Sequence, residues 1–360
     1  MVDQLIRRAR REWFGAIVFS EQPELLAYVD QSYADRLGLS TPEQELPAGL
    51  LRAPLDVQLV ITNRCNLNCG LCHVSRRPET DMNLEVAGRI LDHLAHLEVF
   101  TVTLSGGEPL LHPQVFEIAQ HARVVGLLPS LASNGVDLDD AMAEKCRVFG
   151  HVQLSFHTMQ DLDHLTPATE ALQRAGVPIG LDALITAKNF DDIGELWRWC
   201  GRQRIRQVQA LKFKPARTTN DEEKKGMALT PAQEMELIPQ LKALSKRYGI
   251  EIQFDCSLFP FMALNRMKRR EVGYPDANGC KGGTASLTIM PDGRFKPCPF
   301  WPDTFGDIFE LTAENWVSHE KLAAFRASRT QSKCGSCEYL DLCNGGCRVV
   351  GSPNGCHQAA

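Results

Sequence analysis

The sequence has no apolar run approaching the roughly 20 residues that a membrane-spanning helix needs, which sets aside an integral membrane protein. Its basic start (Arg7, Arg8, Arg10, Arg11) is not followed by an apolar stretch of the secretory kind, so export is not expected. An excess of charge of one sign is lacking as well. The 39 Lys and Arg against 44 Asp and Glu leave a net charge of -5, which argues against general nucleic-acid affinity. No internal repeat and no low-complexity tract occurs. What remains is a globular composition, 44% hydrophobic and 23% charged, over 360 residues, enough for one large barrel or two modules. A cytoplasmic enzyme is the default expectation.

Cysteine, by contrast, is abundant. There are 13, and an odd number in a chain with no export signal makes a poor disulfide set. Cys65, Cys69 and Cys72 fall within one short stretch. Cys280, Cys298, Cys334, Cys337, Cys343, Cys347 and Cys356 crowd the C-terminal end. Cys146, Cys200 and Cys256 stand alone. Clustered thiolates in a reducing compartment read as zinc or iron–sulfur sites.

Three parts are expected: a small N-terminal module over 1–50, a barrel over 51–275 and a cysteine-rich segment over 276–360. In the first, Arg7 to Trp13 reads as a basic helix, Gly15–Ser20 and Leu25–Asp30 as a strand pair around Glu21-Gln22-Pro23, and Gln31–Leu39 as helix-like. Pro42 to Pro47 reads as a linker. From Val57 onward, short apolar runs recur at Val57–Thr62, Thr101–Leu104, Pro129–Ser133, His151–Ser155, Ile179–Ile185 and Val208–Lys214. Helical segments lie between them, the clearest carrying Ile193, Leu196, Trp197 and Cys200 on one face. This alternation predicts parallel βαβ units closed or partly closed into a barrel, with the chemistry at the C-terminal strand ends. Thr230-Pro231 opens a later helix with Leu237, Leu241, Leu244 and Tyr248, and a strand Ile250–Cys256 follows. Strands Ser286–Met290 and Arg294–Lys296 flank a Pro291-Asp292-Gly293 turn, in a segment so poor in periodic apolar residues that metal staples are expected to hold it.

Two motifs follow the first two barrel strands. Cys65, Cys69 and Cys72 form CxxxCxxC directly after Val57–Thr62, so three thiolates can hold three corners of an iron–sulfur cube and leave one iron open. With His73 as fourth ligand, a zinc knuckle is the alternative. Leu104-Ser105-Gly106-Gly107-Glu108-Pro109 ends the second strand, with glycines that permit close backbone approach and a carboxylate able to hold an ammonium group. The bland reading of this segment is a tight βα turn.

Together these motifs, over about Val57 to Ser257, resemble the radical S-adenosylmethionine (SAM) superfamily. The resemblance implies a partial (β/α)6 TIM-like barrel of α/β class and a [4Fe-4S] cluster on Cys65, Cys69 and Cys72. SAM would be held by Gly106, Gly107, Glu108 and Pro109. It would be cleaved to a 5′-deoxyadenosyl radical that takes hydrogen from a substrate C–H bond. Ser133-Asn134-Gly135 ends the third strand, where Asn134 would approach the SAM. On the fourth strand Gln153, Ser155 and His157 alternate with Val152, Leu154 and Phe156, so Ser155 faces a polar lumen. His157 reads as a solvated strand end, and Lys212 and Lys214, on one face of the sixth strand, either meet the SAM carboxylate or a substrate acid or are solvated at the strand's end. One departure is Leu71, at a position that is usually aromatic in the family.

Cys280 and Cys298 as CX12GX4C, then Cys334, Cys337, Cys343 and Cys347 as CX2CX5CX3C, then Cys356, resemble the SPASM domain, a small α+β unit with two auxiliary [4Fe-4S] clusters. By that resemblance Cys334, Cys337, Cys343 and Cys356 hold the distal cluster. Cys280, Cys298 and Cys347 hold the proximal one, giving three clusters in all. The proximal cluster lacks an obvious fourth ligand. It is open, or closed by a non-cysteine group or by Cys256, but Ile250, Ile252, Phe254 and Cys256 share a strand face, and Cys256 therefore reads as core. Cys146 and Cys200 read as packing residues too. A zinc ribbon is the alternative for the whole set.

The resemblance implies a radical SAM oxidoreductase or peptide-modifying enzyme of natural-product biosynthesis. A ribosomally made precursor peptide, crosslinked or oxidised, is the expected substrate, and a flavodoxin or ferredoxin-type protein the expected electron donor. The alternative is a dehydrogenase or epimerase acting on a small molecule such as a sugar, an aminocyclitol or a cofactor precursor. The first 50 residues resemble part of the peptide-clamping module of peptide maturases but are too short for a complete winged-helix clamp; β-augmentation on the Gly15–Ser20 edge is one route, and a strand pair that merely caps the barrel is the plainer reading. Sulfatase maturation is disfavoured, because Pro299 follows Cys298 where that branch has an Asp. Asp255, beside Glu251 and Gln253, is a weak candidate base, with surface solvation as its plainer reading. Neither membrane nor nucleic acid is expected as a partner.

Overall fold

The computed structural model describes residues 5–21, 24–40, 46, 49–70, 72, 78–215, 226–265, 279–328, 334 and 337–350. Gln22, Pro23, Leu71, His73 and Cys356, and most of the Pro42–Pro47 stretch, lie outside the described residues.

The chain opens with an antiparallel sheet of β1 (Ile6–Glu12), β2 (Gly15–Glu21) and β3 (Glu24–Asp30), in that order, followed by helix α1 (Gln31–Arg36). The stretch expected as a basic helix is thus a strand. Its arginines act with period 2 rather than 3.6. Arg8 donates to the carbonyl of Val99, and Arg10 to those of Ala53, Pro54 and Glu98 at 2.8–3.1 Å. Arg10 also pairs with the buried Glu12 at 2.7 Å and lies over the Phe100 ring. Capping carbonyls at the barrel's base consumes these guanidinium donors, a tertiary demand that overrides helix propensity. Ile17, Phe19, Leu51, Leu55, Phe100 and Ala285 form the apolar seam between this sheet and the barrel. Because β2 lies between β1 and β3, Gly15–Ser20 has no free edge. The β-augmentation route expected there is closed, and the outer strands carry the edges.

The main sheet has ten strands. Those of the barrel are β4 (Asp56–Thr62), β5 (Thr101–Gly106), β6 (Leu128–Ser133), β7 (His151–Phe156), β8 (Ile179–Ile185) and β9 (Gln207–Lys212), each parallel to its neighbour. The alternating α/β barrel expected from the sequence is therefore present. β10 (Glu251–Phe254) extends it beyond β9 in parallel. On the far side, β11 (Ser286–Ile289) lies parallel to β4 and leads into the antiparallel β12 (Arg294–Lys296) and β13 (Gly306–Asp307). The crossover helices bury one face each. In the helix Ile193–Arg202, Ile193, Leu196, Trp197 and Cys200 are all buried. The helix Pro231–Tyr248 starts at Thr230, whose side chain accepts from the Gln233 backbone, and ends at left-handed Gly249.

The lumen is polar. Register places Ser155, Asp182, Gln209 and Gln253 side by side on β7 to β10, while alternate residues such as Leu154, Leu181 and Val208 pack outward. A filled barrel would carry branched apolar residues inward; this one keeps a cavity.

Candidate active site

A register shift between Val60 and Thr62 ends the regular β4–β5 ladder where the thiol loop begins. Thr62 donates to Asp81 at 2.6 Å, and Arg64 pairs with Asp81 at 2.7 Å and donates to the Leu111 carbonyl at 2.6 Å. The entry to the loop is therefore pinned before Cys65. Gly106 and Gly107 clasp the same segment: the amides of Gly107 and Glu108 donate to Thr62 and Arg64 carbonyls at 2.9 and 2.7 Å. A Cβ on Gly106 would lie 2.1 Å from the Thr62 oxygen, and one on Gly107 2.2 Å from that of Arg64. The glycine pair is thus required by backbone-to-backbone approach as well as by the cavity it lines.

Glu108 is 1% exposed. Its carboxylate accepts from Leu110 N at 3.1 Å, Ser133 Oγ at 2.9 Å and Asn134 N at 2.8 Å, tying the ends of β5 and β6. Burial pushes its carboxyl up to about 7 against these hydrogen bonds. Asn134 donates to Asn66 at 2.7 Å and reaches the Cys65 sulfur at 3.9 Å. Asn66 in turn donates to Asp137 at 2.7 Å. Burial, then the neighbouring Cys72 and Cys65, push the Cys69 thiol up to about 11. Three thiolates in this loop therefore need a cationic centre among them, which suits an iron–sulfur cluster. Ser105 Oγ is buried without a hydrogen-bond partner beside the glycines, a donor left for a ligand.

All of this opens into one cavity of about 1010 Å³. Its wall includes Cys65, Cys69, Cys72, Gly106, Gly107, Asn134, Ser155 and His157, and also Cys256, Cys280, Cys298 and Cys347. Both thiol sets thus face one space. Cys256 is not core: it is half-buried, lines this cavity and lies close to Cys280 and Cys347. Cys146 and Cys200 are packing residues, fully buried in the main apolar cluster. Of the distal set, Cys334, Cys337 and Cys343 are described around the short helix Leu340–Cys343. Gly279 packs against the Cys343 carbonyl so closely that a Cβ would sit 1.9 Å away, which interlocks the segments carrying Cys280 and Cys343. None of the twelve described cysteines is in a disulfide.

Asp255, Lys214, Lys212 and His157 differ from expectation. Asp255 is not solvated. It is buried and paired with Lys214 at 2.6 Å, and although burial raises its carboxyl, Lys214 and the Ser257 hydrogen bonds bring it below the usual carboxylate range. Lys212 pairs with Glu234 at 2.8 Å, and β9 ends there rather than at Lys214. His157 is half-buried on the cavity wall, and burial lowers its pKa against the pull of Asp161. Asp182 escaped the sequence reading. It lines the cavity, accepts from Gln153 at 2.8 Å, and is pushed up to about 7, chiefly by burial and also by the charge of Asp255. A lone carboxylate alternating with Leu181 and Ala183 was the available signal.

A partly open parallel barrel with a thiol loop after its first strand, and further thiols across its mouth, defines the radical SAM architecture. Residues 59–187 match the radical SAM superfamily and residues 280–339 match an iron–sulfur cluster-binding domain, SPASM. The chain is therefore a radical SAM protein carrying a SPASM domain. It is 26% identical over 328 residues to an AdoMet-dependent heme synthase of Methanosarcina barkeri, covering 83% of this chain and 93% of that protein. It is 28% identical over 345 residues to a PqqA peptide cyclase of Ruegeria pomeroyi, covering 86% and 85%. In fold it resembles Streptococcus suis SuiB bound to its precursor peptide SuiA, with a TM-score of 0.72 at 18% identity over 95% of this chain and 94% of that one. No helix among the described residues is long and apolar enough to cross a membrane.

Proposed function

We propose that this radical SAM enzyme modifies a ribosomally made precursor peptide, by crosslinking or oxidation, in the cavity between its two thiol sets. The observation that carries this reading is the single cavity whose wall holds Cys65, Cys69 and Cys72 as well as Cys280, Cys298 and Cys347. When loaded, the cluster and SAM supply a 5′-deoxyadenosyl radical, and the auxiliary clusters supply an acceptor for an electron from the substrate. The chain's own residues do the rest. Cys65, Cys69 and Cys72 would hold the first cluster. Gly106, Gly107, Glu108, Pro109, Asn134 and Ser155 would shape the SAM site, with Ser105 Oγ free to donate to it. Cys334, Cys337, Cys343 and Cys356 would hold the distal auxiliary cluster, making three clusters with the proximal one.

Asp182 takes the role first given to Asp255. Ionised and held by Lys214, Asp255 is a weak proton acceptor; a lumen carboxyl near 7 exchanges a proton readily at neutral pH. The peptide would enter by β-addition on the outer edge of β3, which pairs with β2 alone among the described residues and carries Leu25 at 53% exposure. The PqqA peptide cyclase relative supports a peptide substrate. The heme synthase relative supports the second reading, a small molecule of cofactor biosynthesis, and its product name points to a porphyrin.

The test is anaerobic reconstitution with iron and sulfide, then SAM with dithionite or a flavodoxin-type donor. Candidate precursor peptides from neighbouring reading frames and iron-coproporphyrin are supplied in parallel. Release of 5′-deoxyadenosine with a mass change in a peptide is expected. A mass change in the porphyrin alone sinks the peptide reading, and absence of 5′-deoxyadenosine sinks both. Cys65→Ala is expected to abolish SAM cleavage.

A further inference from the structure

We propose that Cys256 supplies the fourth thiolate of the proximal auxiliary cluster, so that Cys256, Cys280, Cys298 and Cys347 form a closed site with no vacant iron. This rests on the reading that the C-terminal thiols hold iron–sulfur clusters.

Along β10 the side chains alternate, and Cys256 would share the face of Ile252 and Phe254 if the strand continued. It does not. Asp255 N still donates to the Ala210 carbonyl at 3.1 Å, but the Asp255 side chain accepts from Ser257 N at 2.9 Å and its carbonyl from Leu258 N at 2.9 Å. This turn ends the alternation at Cys256. The thiol lies on the cavity wall, close to Cys280 and Cys347. Cys298 lines the same wall.

The surroundings fit an anionic centre. Four thiolates on a cube of formal charge +2 leave a net charge of about -2. The Lys214 ammonium acts on both Cys256 and Cys347, and the Arg348 guanidinium lies near enough to Cys280 to stabilise its thiolate. Outer groups of this kind orient ligands and offset their charge. When Cys256 binds, an Fe–S bond forms and the Sγ–H proton leaves to solvent, with no electron transferred. A site closed in this way cannot bind substrate at iron and can only exchange electrons with it, in contrast to the three-thiol loop.

The experiment uses the full chain with Cys65, Cys69 and Cys72 changed to Ala, which leaves only the auxiliary sites. After anaerobic loading, iron per chain and the paramagnetic resonance of the dithionite-reduced protein are measured with and without cyanide, a small ligand for vacant iron. Added to this parent, Cys256→Ala is expected either to lose about four irons or to gain a cyanide-sensitive signal. Cys256→Ser keeps the volume, guards against misfolding, and is expected to retain iron with a shifted spectrum. Cys200→Ala, a core change, is expected to leave iron and spectrum as in the parent. If both Cys256 variants match the parent in iron content, spectrum and cyanide response, the proposal is overturned. If the parent itself loads no iron, the auxiliary-cluster reading fails, and this proposal with it.

Discussion

The Lys214–Asp255 pair gives the sharpest energetic test of the cavity. The ammonium and carboxylate are 2.6 Å apart, with side chains 8% and 11% exposed, and Lys214 also lies 4.9 Å from the centre of the Phe300 ring. Lys214→Met removes the charge but keeps most of the stem. Asp255 then stays buried, with Ser257 still donating to Oδ1 while Oδ2 loses its cation. Breaking a buried pair from one side costs about 3–5 kcal/mol, and the lost cation–π contact adds roughly 1 kcal/mol. The Ser257 hydrogen bonds remain, so about 4 kcal/mol is expected. The double variant Lys214→Met/Asp255→Leu removes both charges and should cost only about 2 kcal/mol, for the lost turn hydrogen bonds. Urea unfolding of the single and double variants under anaerobic, reducing conditions measures the coupling. The pH dependence has a defined sign. With its folded pKa depressed, Asp255 contributes stability above the ordinary value of 3.8, and that contribution is lost as the pH falls below it. In Lys214→Met only the Ser257 hydrogen bonds still oppose burial, the largest influence on this group, so the carboxyl should rise and the variant's stability should fall as the pH rises above 3.8. Single variants losing under about 1 kcal/mol, or strictly additive losses, would refute the buried-pair account.

Two further outcomes follow from the site. Gly107→Ala places a Cβ 2.2 Å from the Arg64 oxygen and 2.6 Å from the Arg64 carbonyl carbon, so the segment carrying Cys65 must shift. Iron bound by the first thiol set should fall, read by metal analysis in a background lacking the C-terminal thiols, and full iron content would show that the clasp is dispensable. Asp182→Asn removes the lumen carboxyl held near 7 and keeps its hydrogen-bonding shape. Product formation should drop by about 10²-fold or more and lose its inflection near neutral pH, while 5′-deoxyadenosine release continues; an unchanged pH profile assigns the proton transfer elsewhere.

The six barrel strands were legible to within a residue or two, because parallel strands buried on one face announce themselves as short apolar runs between helical periods. The thiol and Gly-Gly-Glu-Pro motifs were legible for a different reason: their chemistry constrains residue type and spacing together. What escaped the sequence has one physical origin, long-range partners. The arginines of β1 read as a helix until Ala53, Pro54, Glu98 and Val99 offered carbonyls to them. Cys256 read as core until the Asp255 turn broke its strand's alternation. Asp255 itself read as solvated until Lys214, 41 residues earlier, closed on it.

The cavity's weakest line runs between the two ends of the main sheet. The sheet is linear in its pairing, from β10 at one end to β13 at the other, with no ladder joining the ends among the described residues. Cys256 follows β10, whereas Cys280 and Cys298 flank the β11–β12 hairpin near the opposite end, yet Cys256 and Cys280 lie close together on one cavity wall. Lys214 crosses the same line, ion-paired with Asp255 after β10 and stacked on Phe300 after Cys298. An open barrel edge left without backbone pairing must be closed by side chains, and here a thiol set and one buried ammonium do it. Metal at this seam would therefore join the barrel to the C-terminal segment as well as carry electrons, and its removal should loosen both together rather than the cysteine-rich segment alone. Hydrogen exchange that quickens on chelation in β11 and β12 but leaves β9 and β10 unchanged would contradict that coupling.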